Sequence, residues 1–183
     1  MLKKNNDRSK TKVKRGASAY DTALVFLTPK ARSVREVENR LDECDHSEIE
    51  IIETVERLTR AGLVNDEKYA HDFVESRLNT KPVSRRKLME QLEGHFIPKS
   101  AIDEALETIT DEIELANARK VGEKYFRQFA SLELDERLRR VGLRLMSRAY
   151  GYDDIKTVLA ELAESGDSLS DTADGGCFDE DDD

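Results

Sequence analysis

Three histidines, two cysteines and a surplus of carboxylates are the residues of this 183-residue chain whose types could support catalysis or metal binding. Their spacing supports neither. His46, His71 and His95 share no i, i+4 relation with one another or with a cysteine, and Cys44 with His46 supplies two ligands at a spacing that matches no common zinc pattern. They read as surface or turn histidines. Glu48, Glu50, Glu53 and Glu56 recur along what reads as a solvated helix face, with Arg57 and Arg60 as i+4 partners of Glu53 and Glu56. Ser33 and Ser84 each precede an apolar-periodic stretch and read as helix N-caps, not as nucleophiles. No acid–base pair or triad assembles, and no Walker loop or G-x-G-x-x-G occurs. The chain therefore reads as a non-enzyme, with no cofactor and no metal.

The basic residues are more regular. Arg35, Arg86 and Arg139 recur at offsets of 51 and 53 residues. Each precedes a core position (Val37, Leu88, Val141) by two residues, about 200° around a helix of 3.6 residues per turn, and so faces solvent. Arg85 and Lys87 join the second of these positions, and Arg140, Arg144 and Arg148 the third. A repeat-phased row of this kind suits an extended polyanion; a merely solubilising face is the alternative. Tyr125, Phe126, Phe129, Tyr150 and Tyr152 lie near the basic stretch and could stack on bases, although most are expected in the core.

These arginines belong to a repeat. SVREVENRL (33–41), SRRKLMEQL (84–92) and RLRRVGLRL (137–145) align, each with a basic residue third, an aliphatic fifth and a leucine ninth. Ten residues after each terminal leucine an apolar ladder begins: Ile51, Val55, Leu58; Ile102, Leu106, Ile109; Ile155, Leu159, Leu162. Steps of four and three put each ladder on one helical face. Each unit also has an apolar helix upstream of its central helix, with Tyr20, Leu24 and Leu27, then Tyr69, Phe73 and Val74, then Ala116, Val121 and Phe126. Pro29, Pro82 and Pro98 lie between the periodic segments, and Asn65-Asp66 stands where an N-cap would. The predicted fold class is all-α: three tandem three-helix repeats in an elongated array that can curve, with flexible charged termini. The expected boundaries are a basic arm at 1–18, repeats at 19–63, 64–112 and 113–163, and an acidic disordered tail at 164–183.

The charge balance agrees with that division. The chain has a net charge of −9, from 39 acidic and 30 basic residues. Nine of the carboxylates fall in residues 164–183, which hold no Lys or Arg, so the body is neutral. Residues 1–16 carry seven basic residues against Asp7 alone. Both ends have the composition of disordered segments. They read either as solvation devices or as an arm for phosphate and a tail that competes with nucleic acid for basic surfaces. The longest apolar run is residues 23–27, and no apolar stretch of signal-peptide length follows the basic start. A cytoplasmic, reduced protein without a membrane segment is the expectation.

The order of motifs resembles the RecX family, bacterial regulators of the RecA recombinase. GLVNDEKYA (62–70) resembles the family's G-L-[LIV]-[DN]-D-x-x-[YF]-A signature, and RAYGYDDIKTVL (148–159) its R-G-[FY]-x-[FY]-x-x-I-x-x-[VA]-L ending. FIPKSAIDEAL (96–106) resembles the equivalent segment of the second unit. The likeness runs from about residue 21 to about residue 162. The family usually has glycine six residues before each ladder, where this chain has Asp45, Phe96 and Ala149; the inter-helix turns are expected to differ locally. The resemblance implies a regulator that lodges in the groove of the RecA–single-stranded-DNA filament, and a monomer is expected. There it modulates recombination, DNA repair and the SOS response, usually by inhibition. The residues expected to carry binding are Arg35, Arg85, Arg86, Lys87, Arg139, Arg140, Arg144 and Arg148. Two readings from other classes remain: a helical DNA-binding module without a recombinase partner, and an α-solenoid adaptor for another protein.

Overall fold

The computed structural model describes residues 16–170. Most of the expected basic arm and the acidic tail from residue 171 on lie outside the described residues. Among the described residues there are nine helices and no strand: α1 Ala19–Leu27, α2 Val34–Asp42, α3 Glu48–Arg60, α4 Asp66–Thr80, α5 Arg85–Gly94, α6 Lys99–Glu107, α7 Asp111–Gln128, α8 Leu134–Met146 and α9 Tyr152–Ser170. None of these helices is long and apolar enough to cross a membrane.

Local chemistry explains where the helices begin. Ser33 and Ser47 close reciprocal capping boxes with Glu36 and Glu50, satisfying backbone donors that a helix start leaves free. Ser84 accepts from the Lys87 N–H at 3.1 Å, and Asn65 from the Lys68 N–H at 2.8 Å, so both act as the N-caps expected of them. α8 differs. It starts a turn earlier than the repeat alignment implies, on Glu133, with no side-chain cap. Arg137, which holds the place of Ser33 and Ser84, is thereby inside a helix.

The ends of the middle helices repeat more strictly. His46, Ile97 and Tyr150 each donate their N–H to the carbonyl of the nonapeptide's last leucine, Leu41, Leu92 and Leu145. The preceding residues, Asp45, Phe96 and Ala149, donate to Asp42, Glu93 and Met146. This pair of bonds is the Schellman motif, which requires a left-handed residue at its fifth position. Asp45, Phe96 and Ala149 take φ of 60°, 60° and 62° without being glycine. The expected local difference in these turns is therefore absent: the backbone keeps the left-handed conformation and the side chains bear the strain. α3 ends in the same motif with Gly62 at φ 69°.

The chain divides into two compact units, one running through Asp72 and adding Leu92–Ala105, the other Phe73–Gln91 with the residues from Leu106 on. α4, α5 and α6 each contribute to both. The first unit's core holds Ala19, Ala23, Val37, Leu41, Leu58 and Val64. α1 thus buries a face of small residues, Ala19, Thr22 and Ala23, whereas Leu24, an expected core residue, is exposed. In the second unit Ala118, Val121, Phe126, Val141, Leu145, Tyr150, Ile155, Val158 and Leu162 pack together. α7 and α9 approach so closely that a Cβ on Gly122 would meet Val158 at 2.5 Å. The ladders are present, with one adjustment. Thr54 and Val158, one residue before the expected middle rungs Val55 and Leu159, are the buried ones there.

Each unit contains a junction of the same design. In the first, Ser33 Oγ donates to the His95 carbonyl at 2.6 Å, and Asp66 accepts the Val34 N–H at 2.9 Å. In the second, the Ser84 N–H donates to the Arg148 carbonyl at 3.2 Å, and Glu114 accepts the Arg85 N–H at 3.2 Å. The start of one middle helix is thus satisfied by the end of the next and by a carboxylate from the helix before it. Burial raises the pKa of both carboxyls, while the backbone donor acts in the opposite sense.

Candidate nucleic-acid interface

The three phased arginines stand on the open sides of α2, α5 and α8, as their spacing requires. Their side chains are 61%, 76% and 65% exposed for Arg35, Arg86 and Arg139. Each has one carboxylate on its own helix: Glu38 at 2.9 Å, Glu90 at 3.6 Å and Glu136 at 2.7 Å. Exposed pairs of this kind hold a side chain only weakly, so a phosphate or a partner carboxylate can compete for the guanidinium. Lys87 shares Glu90 with Arg86, and Arg140 shares Glu136 with Arg139. Hydrogen bonds from Arg139 and then Arg140 pull the Glu136 carboxyl down to about 2, so this cluster stays ionised at any physiological pH.

The other expected residues have different surroundings. Arg85 is engaged at the second junction, where its guanidinium donates to the Ile109 carbonyl and faces Asp111 at 3.5 Å. Arg148 donates to the Tyr125 hydroxyl at 2.9 Å and lies over that ring, 5.0 Å from its centroid. Arg144 lies over the same ring at 5.5 Å. Arg85 and Arg148 therefore sit where the backbone of α5 meets the end of α8. Arg35, Arg86, Lys87, Arg139, Arg140 and Arg144 project from helix faces. Arg35 borders a shallow groove with Glu38, Asp42, Ile51 and Ile52 in the first unit.

Of the aromatics, Phe126 and Tyr150 are core, Tyr125 and Phe129 stack on each other with centroids 6.0 Å apart, and Tyr152 is exposed. The histidines serve structure. His46 meets the Thr22 hydroxyl at 3.3 Å, His71 faces Glu104 at 4.0 Å, and His95 meets Glu36 at 3.2 Å. Among the described residues no group of three His, Cys, Asp or Glu could hold a metal ion.

One feature of the interface is missing from the sequence reading. Leu143 and Met146 are exposed on α8, in a stripe with Arg139 at spacings of four and three, beside Arg140 and Arg144. Arginine interleaved with exposed apolar side chains is the surface of a protein contact more than of a pure phosphate track. The signal was available: both residues fall outside the phase of Val141 and Leu145.

Comparison with known proteins agrees with this architecture. The models of the first, second and third three-helix domains of RecX match residues 19–58, 65–106 and 111–159. The chain is 28% identical over 155 residues to the regulatory protein RecX of Bacillus subtilis, covering 85% of this chain and 58% of that one. It thus spans less than two thirds of that relative. It is 29% identical over 154 residues to the regulatory protein RecX of Streptomyces lividans, covering 84% of this chain and 82% of the relative. The crystal structure of RecX from Lactobacillus salivarius superposes with a TM-score of 0.68 at 26% identity, over 79% of this chain and 94% of that one. Three successive domain matches in the order of the three helical repeats place this chain in the RecX family of regulatory proteins.

Proposed function

We propose that this protein is a non-enzymatic modulator, in the inhibitory sense, of a RecA recombinase, acting as a monomer in the groove of the RecA–single-stranded-DNA filament. Through that contact it regulates recombination, DNA repair and the SOS response. The observation that carries the reading is the recurrence of Arg35, Arg86 and Arg139, each exposed on the middle helix of its repeat. A helical filament presents protein and phosphate at regular intervals, and a regular row of cations is what such a lattice can engage repeatedly. Lys87, Arg140 and Arg144 extend the row, with Leu143 and Met146 supplying contact to protein. Arg85 and Arg148 act as positioning residues that fix α5 against the end of α8.

The test is the single-stranded-DNA-dependent ATPase of the cognate RecA, titrated with this protein at fixed salt. Inhibition at well under one molecule per recombinase is the expected result, and the Arg86→Glu/Arg139→Glu double variant loses it while keeping its helicity. Comparable affinity for naked and recombinase-coated DNA would replace this reading with a plain DNA-binding module. Loss of neither binding nor inhibition in the double variant would remove the arginine row from the mechanism.

A further inference from the structure

The repeats serve as controls for one another, and α3 departs from its counterparts at two positions on its open face. Ile49 and Ile52 are 70% and 52% exposed. At the same places in their ladders the second repeat carries Ser100 and Asp103, and the third Asp153 and Lys156, all four exposed. These places are thus open to solvent in every repeat, and only the first fills them with large apolar side chains. Ile51, beside them in sequence, packs against the core of the first unit, whereas Ile49 and Ile52 stand outside it.

The surroundings of the pair set the chemistry of what can cover it. With 3.6 residues per turn, Glu48, Ile49, Ile52, Glu53 and Glu56 fall on one face of α3. Glu48 and Glu53 lie on either side of the isoleucines, and Glu56 a turn beyond. Toward α2 this face opens into a groove of about 420 Å³, with Ile51, Ile52 and Glu48 on one wall and Arg35, Glu38 and Asp42 on the other. The cations nearby are engaged. Arg35 pairs with Glu38 at 2.9 Å, Arg40 with Glu43 at 3.2 Å, and Arg57 lies over the Tyr20 ring, 3.8 Å from its centroid. Among the described residues Asp42, Glu48, Glu53 and Glu56 stand in no ion pair.

We propose that this face of the first unit docks a basic amphipathic helix of a partner protein, whose apolar residues cover Ile49 and Ile52 and whose lysines or arginines meet Asp42, Glu48 and Glu53. A groove between two helices accepts a third along its length, read by anchors at i, i+3, i+4 and i+7. Lysine and arginine stems add apolar contact while carrying their charge to the rim. Nucleic acid has the wrong sign for this surface, since its phosphates would face the same carboxylates. The contact uses isoleucines and carboxylates, not the arginine row, so it stands or falls separately from the function proposed above.

The probe is a synthetic amphipathic helix of about four turns, the length of α3, with leucine at i, i+3, i+4 and i+7 and lysine elsewhere. Added to the full chain, it should move the methyl resonances of Ile49 and Ile52, and its affinity should fall as salt is raised. The same leucine pattern with glutamate in place of lysine should not bind. Ile49→Ser/Ile52→Asp introduces the residues that the second repeat holds at these places, and circular dichroism checks that its helicity is kept. This double variant should bind the lysine peptide about tenfold or more weakly through lost apolar contact, although its added carboxylate would strengthen a purely electrostatic attraction. Glu48→Lys, which places the second repeat's Lys99 residue type in the first, should weaken binding as well.

Absence of binding, equal binding of both peptides, binding that leaves the Ile49 and Ile52 resonances in place, or undiminished binding by the double variant would each overturn the proposal. So would a chain that sediments as a dimer only while both isoleucines are present, which assigns the face to a second copy. Movement of the same resonances on removal of residues 1–15 would assign it to the chain's own basic arm and overturn the proposal equally.

Discussion

The left-handed residues that follow α8 and α3 give a pair of reciprocal substitutions. Ala149 sits at φ 62° and Gly62 at φ 69°, both at the fifth position of a Schellman motif. An L-residue there costs ~1–2 kcal/mol through the clash of its Cβ with the backbone. Replacing Ala149 by glycine removes that cost but frees the unfolded chain, which takes back ~0.5–1 kcal/mol. Ala149→Gly should therefore stabilise the protein by ~0.5–1 kcal/mol. In Gly62→Ala the new Cβ meets nothing within 4 Å, so the change is purely one of backbone and should destabilise by a similar amount. Ala160→Gly, at an exposed right-handed position in α9, serves as control and should cost ~1 kcal/mol. Urea denaturation followed by circular dichroism reads all three as shifts in midpoint at constant slope. If Ala149→Gly destabilises as much as Ala160→Gly, the turn bears no strain and the argument fails.

The two N-cap serines should respond unequally. Ser84→Ala loses one cap, ~1 kcal/mol, whereas Ser33→Ala also leaves the His95 carbonyl without its 2.6 Å donor and should cost ~2–3 kcal/mol by the same urea measurement. Asp66 gives a pH signature. Its folded-state pKa is raised by burial, so the folded form binds the proton more tightly than the unfolded one. Relative to Asp66→Asn, which keeps the acceptor for Val34, the wild type should lose stability as pH rises from the ordinary carboxyl range through the raised value. Chemical melts of the two proteins at pH 4 and pH 7 give the comparison, and a difference that grows with pH in favour of wild type would refute it.

Much of the fold was legible because helical packing writes a period into the chain. The Val37, Leu88 and Val141 positions, the terminal leucines and the outward arginines all followed from 3.6-residue spacing, and the structure buries or exposes them accordingly. The face of α1 was not legible, since Ala19, Thr22 and Ala23 are too small to stand out against Leu24. The sequence marked Asp45, Phe96 and Ala149 as replacements for glycine but not that they take positive φ, because the residue types do not announce it; the fixed 6→1 bond to the preceding leucine imposes it. The intramolecular contacts of Arg85 and Arg148 were not legible, because their partners, the Ile109 carbonyl and Tyr125, come from distant parts of the chain. No local pattern encodes such contacts.

Each phased arginine comes with its own carboxylate: Glu38, Glu90 and Glu136 travel with Arg35, Arg86 and Arg139 on the same helices. Each of these positions is therefore not a bare cation but a pair of opposite signs. A bare phosphate backbone approaching them gains an attraction and meets a repulsion at every step, and releases few counterions in doing so. A surface that itself alternates between carboxylates and cations can answer both halves of each pair. On the proposed function, the internal glutamates would act as a discriminator, turning away naked polyanions and keeping the arginines for a composite lattice in which protein and nucleic acid are interleaved.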